Sequence, residues 1–208
     1  MVTGSSGSGK TWLTAFLLKN RKIVFDCQPA IVIWFYREGT NQEIYEQLRD
    51  EKWVDEFYAV SKNGFGEIKD LLNKFPRSQP KFFIYDDLMT MISMDTAELF
   101  TNLSHHRSLT NIFLSQSLYL ANVNLRIMTK NSHYHFFCRN LKSKGDYVRF
   151  AQQIEPSNSR MVVAIFSDAL KKPFSHLLVD THPKSTPSVR FRSYHFPDVN
   201  RITTYYER

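Results

Sequence analysis

Residues 4–11 read Gly4-Ser5-Ser6-Gly7-Ser8-Gly9-Lys10-Thr11 and satisfy G-x-x-x-x-G-K-[ST], the pattern of a loop that wraps a polyphosphate. The residue types follow from the chemistry. Glycine accepts positive φ and close backbone approach, so consecutive N–H groups can turn inward on phosphate oxygens. A helix starting near Lys10 adds the positive end of its dipole. Lys10 is the residue that reaches the β- and γ-phosphates, and the Thr11 hydroxyl is an oxygen ligand of the kind magnesium prefers. Gly4, Ser5, Ser6, Gly7, Ser8, Gly9, Lys10 and Thr11 are therefore the candidate ATP-binding residues, with Thr11 also a metal ligand. A flexible Gly/Ser linker is the competing reading. Against it, the stretch directly behind the loop, TWLTAFLLKN, spaces Leu13, Phe16, Leu17 and Leu18 as the apolar face of a helix over Lys10 to about Lys19.

A buried strand should feed such a loop, yet only Met1, Val2 and Thr3 precede Gly4. That strand is expected to be truncated, very short or supplied by another chain. The partner site comes about 75 residues further on, where KFFIYDD at 81–87 is an apolar run ending in Asp86 and Asp87. A continuous apolar run is what a strand buried on both faces requires, and ligands bind at the C-terminal edge of such strands. Asp86 is the candidate magnesium ligand and Asp87 the candidate catalytic residue that orients and polarises the attacking water. A solvated turn is the alternative for paired acids in this position. NIFLSQS at 111–117 reads as a further strand. If it neighbours the Asp86 strand, Gln116 lies near the γ-phosphate as a polar sensor; a plain loop glutamine is the other reading. Arg126 and Arg139 are candidates for a finger that reaches a neighbour's nucleotide and stabilises charge during phosphoryl transfer; a surface ion-pair residue is the other reading for each.

Around these sites the chain alternates strands with helices. IVFD at 23–26, AIVIWFY at 30–36, HYHFFCRN at 133–140 and SHLLVDTH at 175–182 read as strands. TNQEIYEQLRDE at 40–51, FGEIKDLLNKF at 65–75 and a stretch from about Asp95 to His106 read as helices. That order implies an α/β fold with a mostly parallel sheet covered on both sides, in one domain spanning 1–208.

Composition sets the outer bounds. The 208 residues are 42% hydrophobic and 23% charged, the balance of a globular protein with a real core. No apolar run approaches the ~20 residues of a membrane span, and the first residues lack a secretory pattern. Cys27 and Cys138, both on apolar stretches, are expected reduced and buried in an intracellular protein. The formal net charge is +7. Residues 1–138 carry 15 Lys+Arg against 14 Asp+Glu, whereas 139–208 carry 12 against 6, so the basic excess lies in the last third. Such a surplus faces nucleic acid or is an ordinary solvated surface. His105, His106, His133, His135 and Cys138 lack metal-ligand spacing and read as strand and helix-end positions.

GSSGSGKT, FIYDDLM, HHRSLTNIFLSQSLY, LRIMTKNSHYHFFCRNLKSKGDYVRFAQQIEP and HLLVDTHPKSTPSVRFRSYHFP together resemble the genome-packaging ATPases of Polinton/Maverick elements, adintoviruses, virophages and poxvirus-type viruses, within the FtsK/HerA superfamily. The resemblance runs from Thr3 to about Pro197. It implies a P-loop NTPase of RecA/ASCE-like three-layer architecture, using ATP and Mg2+ to drive double-stranded DNA into a capsid as a homo-oligomeric ring. Capsid proteins would be partners, at a nuclear or cytoplasmic virus-assembly site. Lys10 and Thr11 match the family's phosphate loop, Asp86 and Asp87 its acidic strand, Gln116 its sensor, and Arg126 an arginine finger acting between subunits. Asp87 departs from the family's glutamate and is a shorter arm. Three other readings stand beside the motor: a small-molecule kinase, for which no arginine-rich lid is visible; a GTPase, whose [NT]-K-x-D signature fails at Thr129-Lys130-Asn131-Ser132; and a nucleotide-binding assembly module without turnover.

Overall fold

The computed structural model describes residues 1–40, 43–61, 65–193 and 203–205. In chain order its elements are β1 (Val2–Thr3), α1 (Lys10–Lys19), α2 (Arg21–Val24), β2 (Ile31–Arg37), α3 (Glu43–Asp50), β3 (Glu56–Val60), α4 (Phe65–Asn73), β4 (Lys81–Asp86), α5 (Met94–Phe100), α6 (Asn102–His106), β5 (Leu109–Ser115), α7 (Val123–Lys130), β6 (Tyr134–Cys138), α8 (Lys144–Ile154), α9 (Ser159–Ala169), β7 (His176–Asp180), β8 (Phe191–Ser193) and β9 (Thr203–Tyr205). They form two compact units, one of residues 1–10, 116–119 and 132–208, the other of residues 11–115 and 120–131.

The second unit holds a parallel sheet in the order β3-β2-β4-β5, flanked by helices. β4 is buried at every position, which explains its unbroken apolar run. It pairs with β2 (Trp34 opposite Ile84, Phe35 opposite Tyr85) and with β5 (Ile84 opposite Ile112, Tyr85 opposite Phe113). Phe35 stacks on Tyr85 at 5.4 Å, and Phe100 packs on both Tyr85 and Phe113. These rings fill the faces of the central strands, and β4 delivers Asp86 at its C-terminal end.

The first unit has the strand order β1-β6-β7-β8-β9. β1 spans two residues and runs parallel to β6, with Val2 opposite Phe136 and Thr3 opposite Phe137. β7, β8 and β9 are antiparallel to their neighbours. α8 and α9 bring Phe150 and Phe166 onto Phe137, each with centroids 4.8 Å apart.

Some local expectations change. Residues 23–26 are not a strand: α2 continues from α1, the Val24 N–H donates to Asn20 O, and Ile23 is 73% exposed. The apolar letters there lacked a strand partner, since β4 pairs with β2 and β5. The helix expected over 95–106 is broken at Thr101, whose backbone leaves helical geometry (φ −112°, ψ −104°) while its hydroxyl donates to Ala97 O. β5 stops at Ser115, before Gln116. Cys27 is exposed, not buried, whereas Cys138 is buried; both are free. Residues 41 and 42 of the helix expected at 40–51 lie outside the described residues. Among the described residues, no helix is long and apolar enough to cross a membrane.

Candidate nucleotide site

Each glycine of the loop answers a separate demand. A β-carbon at Gly4 would lie 2.5 Å from Ser8 Oγ and 2.8 Å from Cys138 Cβ, so only glycine lets the chain leave β1 against the end of β6. Gly7 has φ +72° and Gly9 φ +93°, left-handed values that favour glycine. The Ser8 N–H donates to Ser5 O at 3.1 Å and closes the turn. Lys10 folds its ammonium back over the loop, donating to Gly4 O at 2.9 Å and Ser5 O at 3.0 Å. Of the other loop residues, Ser5 is half-buried and Ser6 exposed, while Ser8 is buried. Burial pushes the Cys138 thiol up to about 12, against the opposing effect of the Lys10 charge, so it stays protonated and unreactive beneath the loop.

Thr11 opens the second unit, joined to Lys10 by a peptide bond. Its hydroxyl donates to Asp86 Oδ2 at 3.2 Å, bridging 75 residues of sequence. These two oxygens fit a magnesium ion. Neighbouring ligands of an octahedral ion at 2.0–2.1 Å lie about 2.9 Å apart, close to the separation already present. Asp86 is 4% exposed. A carboxylate so placed needs donors, and a residue that sequence reasoning missed supplies one: Tyr45 on α3 donates its phenol to the same Oδ2 at 3.0 Å. Tyr45 is wedged among Trp34, Tyr36 and Phe57, with centroids 5.3–5.9 Å away. Burial and then the Asp86 charge hold the phenol far above the ordinary tyrosine range, so it is a donor at any working pH. The available signal was the i, i+3 pair of Tyr45 and Leu48 on one helix face, which marks burial but not the carboxylate above it.

Asp87 follows β4 with φ +55°, a left-handed conformation that a non-glycine residue adopts at a cost. It is half-buried. Gln116 follows the last residue of β5, the neighbour of β4, and is exposed. Arg126 lies on α7, whose start is fixed by Asn122 Oδ1 accepting from the Asn124 and Leu125 N–H groups. Its side chain is exposed and makes no hydrogen bond or ion pair among the described residues. Arg139 is half-buried just after β6, with its N–H donating to Ser175 O. The structure thus brings Thr11 and Asp86 into contact, while Arg126 touches neither.

No protein-family model and no curated protein matches the sequence. Among solved structures, the chain is similar to the genome packaging NTPase B204 from Sulfolobus turreted icosahedral virus 2, a structure in complex with ATP-gammaS. The TM-score is 0.56 at 16% identity, over 88% of this chain and 92% of that one. It is also similar to the cytoplasmic domain of the type VII secretion ATPase EccC of Thermomonospora curvata, with a TM-score of 0.53 at 17% identity, over 88% of this chain and 24% of that one. At these identities the likeness is one of fold, and the fold is the α/β architecture of the P-loop ATPases.

Proposed function

We propose that this chain is a magnesium-dependent ATPase motor that translocates double-stranded DNA as a homo-oligomeric ring, packaging a viral or virus-like transposon genome into capsids. The observation that carries the catalytic part is the 3.2 Å contact of Thr11 with Asp86, one peptide bond after a glycine loop whose backbone has left-handed turns at Gly7 and Gly9. In this reading the N–H groups of residues 4–9 and the Lys10 ammonium hold the phosphates, and Thr11 and Asp86 hold Mg2+. Bound there, the ion would neutralise charge on the β- and γ-oxygens. Asp87 orients the attacking water, and its left-handed backbone supports that role because strain persists where function holds it. Gln116 senses the γ-phosphate.

Arg126 is the finger offered to a neighbouring subunit's nucleotide, its exposure on α7 leaving it available; Arg139 is the alternative. Packaging is supported by the fold shared with B204, and DNA by the basic last third. Lys142, Lys144, Arg149 and Arg160 are exposed there without an ion pair among the described residues, whereas Arg190 and Arg192 are engaged by Glu155 and Asp180. Grip on phosphate rather than on base edges suits a motor that must pass any sequence.

Phosphate release from ATP and Mg2+, with and without duplex DNA, tests the proposal. Turnover stimulated by DNA and abolished by Lys10→Ala supports the motor. Turnover only with a small phosphate acceptor would make the chain a kinase, and ATP binding without turnover would make it an assembly module.

A further inference from the structure

Phe174 is an unusual residue for its position. It sits between α9 and β7, the residue is 72% exposed, and its φ is +59°. A bulky side chain in the left-handed region is strained, and a ring left in water contributes little to the core, so neither feature is explained by stability of the fold. The turn that holds it is well fixed. The Ser175 N–H and hydroxyl both donate to Lys172 O, at 3.2 and 2.6 Å, and Ser175 O accepts from the Arg139 N–H at 3.1 Å. The ring lies beside the phosphate loop. A β-carbon built on Gly9 would meet Phe174 Cδ1 at 3.4 Å, with only Phe174 atoms among its neighbours within 4 Å.

We propose that Phe174 is the nucleobase platform of the site: the base of a nucleoside triphosphate whose phosphates lie in the Gly4–Lys10 loop stacks on the exposed face of its ring. This rests on the phosphate-loop reading above and adds the base subsite to it. A nucleotide gripped by its phosphates carries its base just outside the loop, and an exposed aromatic ring beside the loop's last glycine is there to receive it. The strained turn keeps the ring standing off the surface instead of folding into the core. A phenyl face has no donor or acceptor, so recognition is by stacking, which any base can supply.

Calorimetric titration with Mg·ATP and with magnesium tripolyphosphate, which has the phosphates but no base, tests this on wild type, Phe174→Gly and Phe174→Trp. Glycine accepts the left-handed φ without strain and the lost ring is exposed, so the Gly variant keeps the turn. The expected result is ATP affinity about 5- to 100-fold weaker in Phe174→Gly, with tripolyphosphate affinity unchanged. Phe174→Trp should retain ATP affinity, with its fluorescence altered by ATP and not by tripolyphosphate. Unchanged ATP affinity in Phe174→Gly overturns the base platform while leaving the phosphate site intact. Equal loss of both ligands also overturns it, because the ring then only shapes the loop. A wild type that binds neither ligand overturns the phosphate-loop reading and this inference together.

Discussion

Tyr45→Phe removes a single oxygen, and with it one donor to a carboxylate that is 4% exposed. Phenylalanine fills the same space among Trp34, Tyr36 and Phe57, so no cavity opens and the change isolates the hydrogen bond. A hydrogen bond to a charged group contributes about 1.5–3 kcal/mol, and Asp86 keeps Thr11 as a second donor, which places the loss near the lower end. For a chain of this size that corresponds to a fall in Tm of roughly 3–6 °C, with the urea m-value unchanged because no extra surface is exposed. The second effect is on the cation. A partner that orients a metal-ligating carboxylate alters metal affinity by about 10- to 100-fold when removed, so the Mg2+ concentration giving half-maximal ATP turnover should rise at least about tenfold. Thermal and urea unfolding and a Mg2+ titration of phosphate release measure both. Tyr58→Phe is the control, since that phenol donates to Glu56 at the surface and should change stability by less than about 0.5 kcal/mol. The reasoning is refuted if Tyr45→Phe matches wild type in both Tm and Mg2+ dependence.

Other consequences can be checked in the same way. Gly4→Ala places a methyl 2.8 Å from Cys138 Cβ, which forces the loop to move; the protein should fold with a loss of about 1–3 kcal/mol and bind ATP at least about tenfold more weakly, and wild-type binding would contradict the packing described. Asp87→Asn should bind ATP and fail to hydrolyse it; rapid phosphate release by this variant would remove Asp87 from the role of orienting water. Arg126→Ala should spare nucleotide affinity and suppress turnover that depends on assembly, so unchanged DNA-stimulated activity would shift the finger role to Arg139. Burial lowers His135 to about 3 and His176 to about 4, so the unfolded chain binds more protons than the folded one at mildly acidic pH. The stability they contribute is fully present above about pH 6.5 and is lost as pH falls below it, by up to about 1.4 kcal/mol per pH unit for each histidine. Equal urea midpoints at pH 7 and pH 5 would disprove it.

The elements legible in the sequence are those whose burial is uniform or follows a helical period. β4 could be read from KFFIYD because every position is buried, and α1 from the apolar spacing behind the glycine loop. β3 escaped because Glu56–Val60 is an edge strand with two exposed positions and one buried, leaving no apolar run. α8 and α9 carry apolar residues at helical spacing, Val162, Ile165, Phe166 and Ala169 among them, so their signal is present in the sequence. Residues 23–26 show the converse: β-branched letters with no neighbouring strand to pair with become a short helix. In the candidate site, the loop and Asp86 are proposed from residue type and order, because phosphate and magnesium chemistry narrow both. Tyr45 and Phe174 are not marked in the sequence, since what singles them out is the hydrogen bond to Asp86 and the place beside Gly9, both set by distant parts of the chain.

The central claim is that the glycine loop, Thr11 and Asp86 serve one triphosphate and its cation. A crystal structure with a non-hydrolysable ATP analogue and manganese, the metal located by anomalous scattering, tests it directly. Manganese is expected next to Thr11 Oγ1 and Asp86, with the β- and γ-phosphates on the N–H groups of residues 4–10. Phosphates bound away from that loop, or a metal that touches neither oxygen, would contradict it.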